Sequence, residues 1–212
     1  MTVAFYRYDL ARERWSIMAG LRGEYTDAQV KGVAAPFRRF DLFPSFNYSY
    51  QINENHDLSL SYSRRIRRIS YFTLMAYRWY DSRYTLREGN PDLKPNVLNN
   101  LKFNYGLLGK YYLSLNCMWS YNAVSQYNKT EKIESDNRLV IISTLKDGVK
   151  TQSYNLNAYI PISLASWWNT TNQADIYVNS YQTSKPESET FSNFNYSFFT
   201  QHDFLFPLKI VG

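Results

Sequence analysis

Two histidines, one cysteine and a dense set of arginines are the side chains best suited to chemistry in this 212-residue chain, and their spacing argues against catalysis. His56 and His202 are far apart in sequence, and neither has a Cys or His partner at zinc-binding spacing. Cys117 has no second cysteine to pair with, and its apolar neighbours at every second position make it a small hydrophobe rather than a nucleophile. Gly-x-Ser-x-Gly, His-Glu-x-x-His, Walker and dinucleotide fingerprints are all missing from the sequence. The expectation is a chain that is not an enzyme and uses no metal and no cofactor.

The remaining chemistry is cationic and aromatic. Arg64, Arg65, Arg67 and Arg68 crowd the end of an alternating segment, where they suit phosphates, a polar partner or plain solvation. Further on, Arg78, Trp79, Tyr80, Arg83 and Tyr84 combine charge with stacking surface in a long irregular stretch, so they are candidate ligand contacts; the alternative is that they fill the loop against its neighbours. The 24 Lys and Arg exceed the 18 Asp and Glu by six, which by itself fits nucleic acid, anionic lipid or neither.

The elements that must position these residues read as strands. From Tyr111 to Ala123 every odd position is apolar (Tyr111, Leu113, Leu115, Cys117, Trp119, Tyr121, Ala123), while Ser114, Asn116, Ser120 and Asn122 occupy the other face. Thirteen residues exceed the roughly 5–6 of an ordinary strand and suit a tilted membrane-spanning one, which needs about 9–11 in the hydrocarbon. Strand-like segments, most of them with the same alternation, recur from Thr2 to Leu10, Arg14 to Val30, Phe40 to Ile52, Leu58 to Tyr62, Val97 to Leu107, Leu139 to Thr144, Val149 to Ile162, Trp167 to Tyr181 and Phe191 to Phe206. Lys31 to Pro36, Gln126 to Arg138, Lys146-Asp147-Gly148 and Lys185-Pro186-Glu187 read as loops and turns. The pattern predicts an all-β chain of about nine strands with no helix.

Mean hydropathy is −0.49, and no run of about 20 apolar residues exists. A β-barrel is the one membrane-spanning architecture open to such a sequence, because half of each strand faces inward. The connections sort by length along the chain: tight near residues 12, 55, 109 and 165, longer near 35, 80, 132 and 186. Barrels of the outer membrane have that asymmetry, with short periplasmic turns and long outer loops. Trp15, Tyr111 with Tyr112, and Trp167 with Trp168 each follow a tight turn, as an interfacial aromatic girdle would. Nucleic-acid binding would use arginine and aromatics too, but it gives no account of the alternating loop lengths, so no nucleic-acid partner is expected.

One local signature is more specific. Ser61-Tyr62-Ser63-Arg64-Arg65-Ile66 leads into the long excursion, and Gly89-Asn90-Pro91-Asp92-Leu93-Lys94-Pro95 ends it. Gly89 can take a positive φ, Pro91 and Pro95 block regular pairing, and Asn90 and Asp92 can bond nearby backbone, so the element reads as a rigid return to the next strand. With Ala19-Gly20-Leu21-Arg22-Gly23-Glu24-Tyr25, this resembles the TonB-dependent outer-membrane receptors, in particular their Bacteroidetes-type outer-membrane β-barrel domain. Gly89, Asn90, Pro91, Leu93 and Pro95 carry the resemblance.

The resemblance implies an antiparallel transmembrane β-barrel segment in the outer membrane of a Gram-negative bacterium, in contact with lipid and lipopolysaccharide. Trp15, Tyr111, Tyr112, Trp167, Trp168, Arg64 and Arg65 would lie at the membrane interfaces. It further implies uptake of a nutrient ligand, energised by TonB through a plug domain that these residues do not contain. No basic and apolar leader opens the sequence, so the expectation is a partial barrel domain spanning residues 1–212, short of the roughly 22 strands of a transporter. The alternatives are a soluble aromatic-rich β-sandwich that binds carbohydrate and a small porin-like barrel.

Overall fold

The computed structural model describes residues 1–28, 37–133, 137–183 and 188–205. Its strands are β1 (Thr2–Ala11), β2 (Trp15–Ala28), β3 (Phe37–Asn53), β4 (His56–Arg67), β5 (Arg78–Ser82), β6 (Thr85–Glu88), β7 (Asn96–Leu107), β8 (Tyr111–Ile133), β9 (Arg138–Ala165), β10 (Trp168–Gln182) and β11 (Thr190–Phe204). One short helix, α1 (Tyr71–Leu74), interrupts them, capped by the Ser70 side chain on the Thr73 amide. All eleven strands join one sheet, in the order β1-β2-β3-β4-β7-β8-β9-β10-β11 with the β5–β6 hairpin off this path. Every pairing along the path is antiparallel between sequence neighbours or across the β4–β7 excursion.

The register converts the alternation of each strand into a property of the whole sheet. One row of paired residues runs Leu10, Ile17, Tyr48, Leu60, Phe103, Leu115, Leu156, Ile176, Tyr196, apolar on every strand it crosses. The adjacent row, pointing the other way, runs Asp9, Met18, Asn47, Ser61, Lys102, Asn116, Asn155, Tyr177, Asn195. Because side chains alternate across a strand, the two rows define an apolar and a polar face.

No second sheet packs on the apolar face among the described residues, which excludes the sandwich. Leu115, Leu156 and Tyr196 remain 39%, 37% and 78% exposed. An apolar surface of this extent needs a cover, and the described residues supply none. Ten residue steps separate Tyr111 from Tyr121, about 33 Å of strand, which at a tilt of about 40° spans a hydrocarbon band of about 25 Å. No helix among the described residues is long and apolar enough to cross a membrane.

The four tight connections fall where expected, after Ala11, Asn53, Leu107 and Ala165, all at one end of the sheet. Leu108 and Gly109 turn β7 into β8 in the left-handed region, with φ of 57° and 60°. The other end differs from expectation in two places. Gln126 to Arg138 does not form a long loop: β8 runs on to Ile133, and β9 pairs with it from Arg138. Lys146-Asp147-Gly148 is not a turn between strands but part of one 28-residue strand, at a bulge where Ala123 faces Val149 and Ser125 faces Lys146. Asn122 and Gly148 absorb that bulge, with φ of 61° and 91°. The expected loops at 31–36 and 185–187, Phe206 and the 209–212 end lie outside the described residues.

Candidate functional site

Beyond the bulge, β8 and β9 stand as an arm above the band, and the 68–95 segment is folded onto them. β10 pairs with β9 only as far as Gln182↔Lys150, so among the described residues β10 leaves the next stretch of that edge open. β6 takes it in parallel, Thr85↔Ile141 to Arg87↔Ser143, the one parallel contact of the sheet among the described residues. The segment leaves β4 and returns to β7, which lie on the β8 side. It therefore passes over β8 and β9 to reach the far edge, and acts as a strap. Leu86 of the strap is buried against Val140 and Ile142 of β9, with Ile133 beside them, and the three form a hydrophobic core cluster.

Ion pairs hold the strap where it crosses. Arg78 on β5 donates through Nε to Glu88 at 2.7 Å and grips Glu131 of β8 with both terminal nitrogens at 3.0 and 3.1 Å. Lys129 reaches Glu88 at 2.7 Å from the same strand as Glu131. Hydrogen bonds to Glu131 and then Glu88 raise the Arg78 guanidinium further above its ordinary value. For Glu88, desolvation is the largest single influence and pushes upward, but bonds from Lys129 and Arg78 together overcome it and hold the carboxyl below its ordinary value.

The Gly89 to Pro95 motif buckles this strap. Asn90 donates from Nδ2 to the Leu145 carbonyl at 2.8 Å, and its Oδ1 accepts from the Asp92 amide at 2.9 Å. The Lys94 amide donates to Asp147 at 2.8 Å, and Leu93 is buried. Both contacts land on β9 beside the bulge, so the motif and the bulge form one unit. Gly89 is needed for close approach rather than for a positive φ: a Cβ there would lie 1.9 Å from the Met75 carbonyl oxygen.

The expected loop residues separate into distinct roles. Arg78 is committed to its two carboxylates, and Trp79 lies against Phe72 and Tyr77, with ring centroids 5.0 and 6.3 Å away. Tyr80 and Tyr84 are exposed near the hairpin tip, with the Arg83 guanidinium 5.8 Å from the Tyr84 ring. The sequence reading missed Tyr127, Lys129, Thr144 and Lys146, which with Glu88, Gly89, Asn90 and Pro91 line a cleft of about 420 Å³ under the exit of the strap. Their alternation within a polar stretch was the available signal, but only strand continuity beyond Ala123 gives it meaning.

The arginine cluster is also divided by alternation. Arg64 pairs with Asn99 on the apolar side, beside Tyr62, whose hydroxyl donates to Asn99 at 2.9 Å and whose ring stacks 6.2 Å from Trp119. Arg65 faces Leu98 on the polar side. Arg68 reaches over β3 to the buried Glu24, which Arg22 also meets at 3.2 Å.

At the tight-turn end, Trp15 is paired with Tyr50, and Trp168 with Phe204, their rings 5.7 Å apart. Trp167 stacks on Trp168 at 6.0 Å. Tyr111 lies on the apolar face, whereas Tyr112 turns to the polar face, near Tyr159, and bonds the Gly109 carbonyl at 2.9 Å. Both histidines join this belt: His56 Nδ1 lies 2.5 Å from the Tyr105 hydroxyl, and Trp168 Nε1 donates to His202 Nδ1 at 3.2 Å. Beyond this belt, side chains of the polar face bond across strands, Ser114 to Asn104 to Ser59, Ser153 to Asn179, and Asn157 to Asp175.

A sheet with one continuous apolar face, a polar face bonded across strands in places, turns at one end and a strapped arm at the other matches known barrels. The crystal structure of the siderophore receptor PirA from Pseudomonas aeruginosa superposes with a TM-score of 0.60 at 12% identity, over 93% of this chain and 40% of that one. The chain thus spans less than half the length of that receptor. No curated protein matches it. A model of the outer membrane protein beta-barrel family matches residues 3–211. The apolar face is therefore turned to lipid, and the chain belongs to the outer membrane protein β-barrel family and resides in the outer membrane.

Proposed function

We propose that this chain is part of the barrel wall of a TonB-dependent receptor that takes up a nutrient ligand, and that its role is transport rather than catalysis. The observation that carries this reading is the strap. A wall that extends beyond the membrane and is covered by a loop fixed at both its buckle and its crossing suits a receptor that holds a ligand outside before admitting it. A diffusion pore needs no such arm. PirA, whose fold the chain shares over part of that protein's length, is a siderophore receptor.

In this reading the short turns face the periplasm, the strap and arm face outward, and lipid and lipopolysaccharide surround the apolar face. TonB acts on a plug contributed from outside residues 1–212. The test is uptake by cells that depend on the intact protein for growth on its limiting nutrient. Growth should fail on deletion of this gene, on deletion of tonB, and on collapse of the inner-membrane potential. Uptake that persists without TonB and without the potential would contradict the reading and favour a passive pore.

A further inference from the structure

The cleft under the strap is bounded by a series of charges. From the arm toward the membrane the order is Glu131, Arg78, Glu88, Lys129, then Tyr127, then Lys146, and each successive charged pair up to Lys129 is bonded at 2.7 to 3.1 Å. Signs alternate down to Lys129. At Tyr127 the alternation breaks, because Lys129 is followed along the arm by Lys146, and Glu88, the one carboxylate among the residues lining the cleft, is already bonded to Lys129 and Arg78.

The register places these groups on one surface. Tyr127 faces Thr144, and Ser125 faces Lys146 one step nearer the membrane, so Tyr127 lies between the two lysines along the arm. Lys146 is half-buried, and its ammonium sits 3.4 Å from the centre of the Tyr127 ring. A cation held over an aromatic face is positioned, yet it keeps its full charge and its donors for a further acceptor. The Tyr127 and Thr144 hydroxyls and the Asn90 amide belong to residues lining the same cleft, whose 420 Å³ is ample for a carboxylate or phosphate group with part of its parent molecule.

We propose that this cleft binds an oxyanion, a carboxylate or phosphate group of a molecule outside the cell, between Lys129 and Lys146. The group restores the alternation of charge and forms charge-assisted hydrogen bonds with both ammonium groups. The site rests on the cleft lying outside the membrane and not on energised uptake, so a failure of TonB dependence leaves it standing.

The experiment uses the intact outer-membrane protein that carries this chain, purified in detergent and titrated by calorimetry with inorganic phosphate, acetate and lipid A micelles. Sodium chloride at matched ionic strength serves as the control. Binding of phosphate or acetate above chloride supports a site for a soluble ligand, and binding of lipid A alone assigns the oxyanion to the lipopolysaccharide headgroup. Lys146→Gln should weaken binding about tenfold, the loss of one charge-assisted bond. Lys146→Arg should retain it, and Lys150→Gln, outside the cleft, should match the unaltered protein. Titrations indistinguishable from chloride for all three probes, or equal affinity in Lys146→Gln with the fold intact by circular dichroism, would overturn the assignment.

Discussion

Arg78 grips Glu131 with two nitrogens although β9 and β6 stand between their strands in the sheet order. That contact fixes how the 68–95 segment lies. A hairpin extending flat from the far edge of β9 would leave Arg78 remote from β8, so the hairpin must curl back over the arm. It follows that this long loop is a strap fixed to the arm, with an exposed tip.

Arg78→Ala should loosen the strap without opening the barrel. The partners are about 40% exposed, so solvent screening limits the loss to about 1 kcal/mol despite the bidentate geometry. Hydrogen exchange should rise over 78–88 and stay unchanged over β3, β4 and β7.

Leu86→Ala removes the strap's contribution to a core where Leu86, Val140 and Ile142 are 3%, 1% and 0% exposed. The cost is about 2–5 kcal/mol, confined to the arm. Limited proteolysis should then cut between Arg78 and Glu88, while the heat-modifiable mobility of the barrel on gels is retained.

Gly89→Ala should be worse than its size suggests. The new Cβ meets backbone, the Met75 carbonyl, so no side chain can swing aside. The buckle must shift, and the Asn90 bond to Leu145 is expected to go with it. Increased exchange at 145–147 would report this; unchanged exchange would count against the buckle.

Acid should release the strap. The folded Glu88 carboxyl lies below its ordinary value of 4.5, so its stabilising contribution is full above that value and is lost as pH falls through the lowered folded value. Protection over 85–88, taken relative to the intrinsic exchange rate at each pH, should be flat from pH 7 to 5 and fall below about pH 4, and Glu88→Gln should abolish that fall.

Much of this architecture is legible in the sequence for a physical reason. A strand with one side in lipid must alternate, so Tyr111 to Ala123 announces its own two faces, and tight turns such as Leu108-Gly109 announce themselves by composition. The arm was hidden because it has no lipid face: Gln126 to Ile133 meets the strap on one side and water on the other, and its polarity imitates a loop. Lys146-Asp147-Gly148 has the composition of a turn, yet Gly148 serves a bulge inside β9. The β6 pairing with Ile141 to Ser143 is long-range and parallel, and only the open edge beyond Lys150 explains it. Among the site residues, the motif glycine was visible but its reason was not, since closeness to the Met75 carbonyl depends on the folded strap.

The central claim is that the row through Leu115 faces lipid and the row through Asn116 faces the barrel interior. Single cysteines at 115 and 116, each spin-labelled in a Cys117→Ala background of the intact protein in bilayers, separate the two by collision with dissolved oxygen and with a water-soluble nickel chelate. Position 115 should respond to oxygen and position 116 to nickel. Nickel dominance at both positions, or the reverse assignment, would contradict the account.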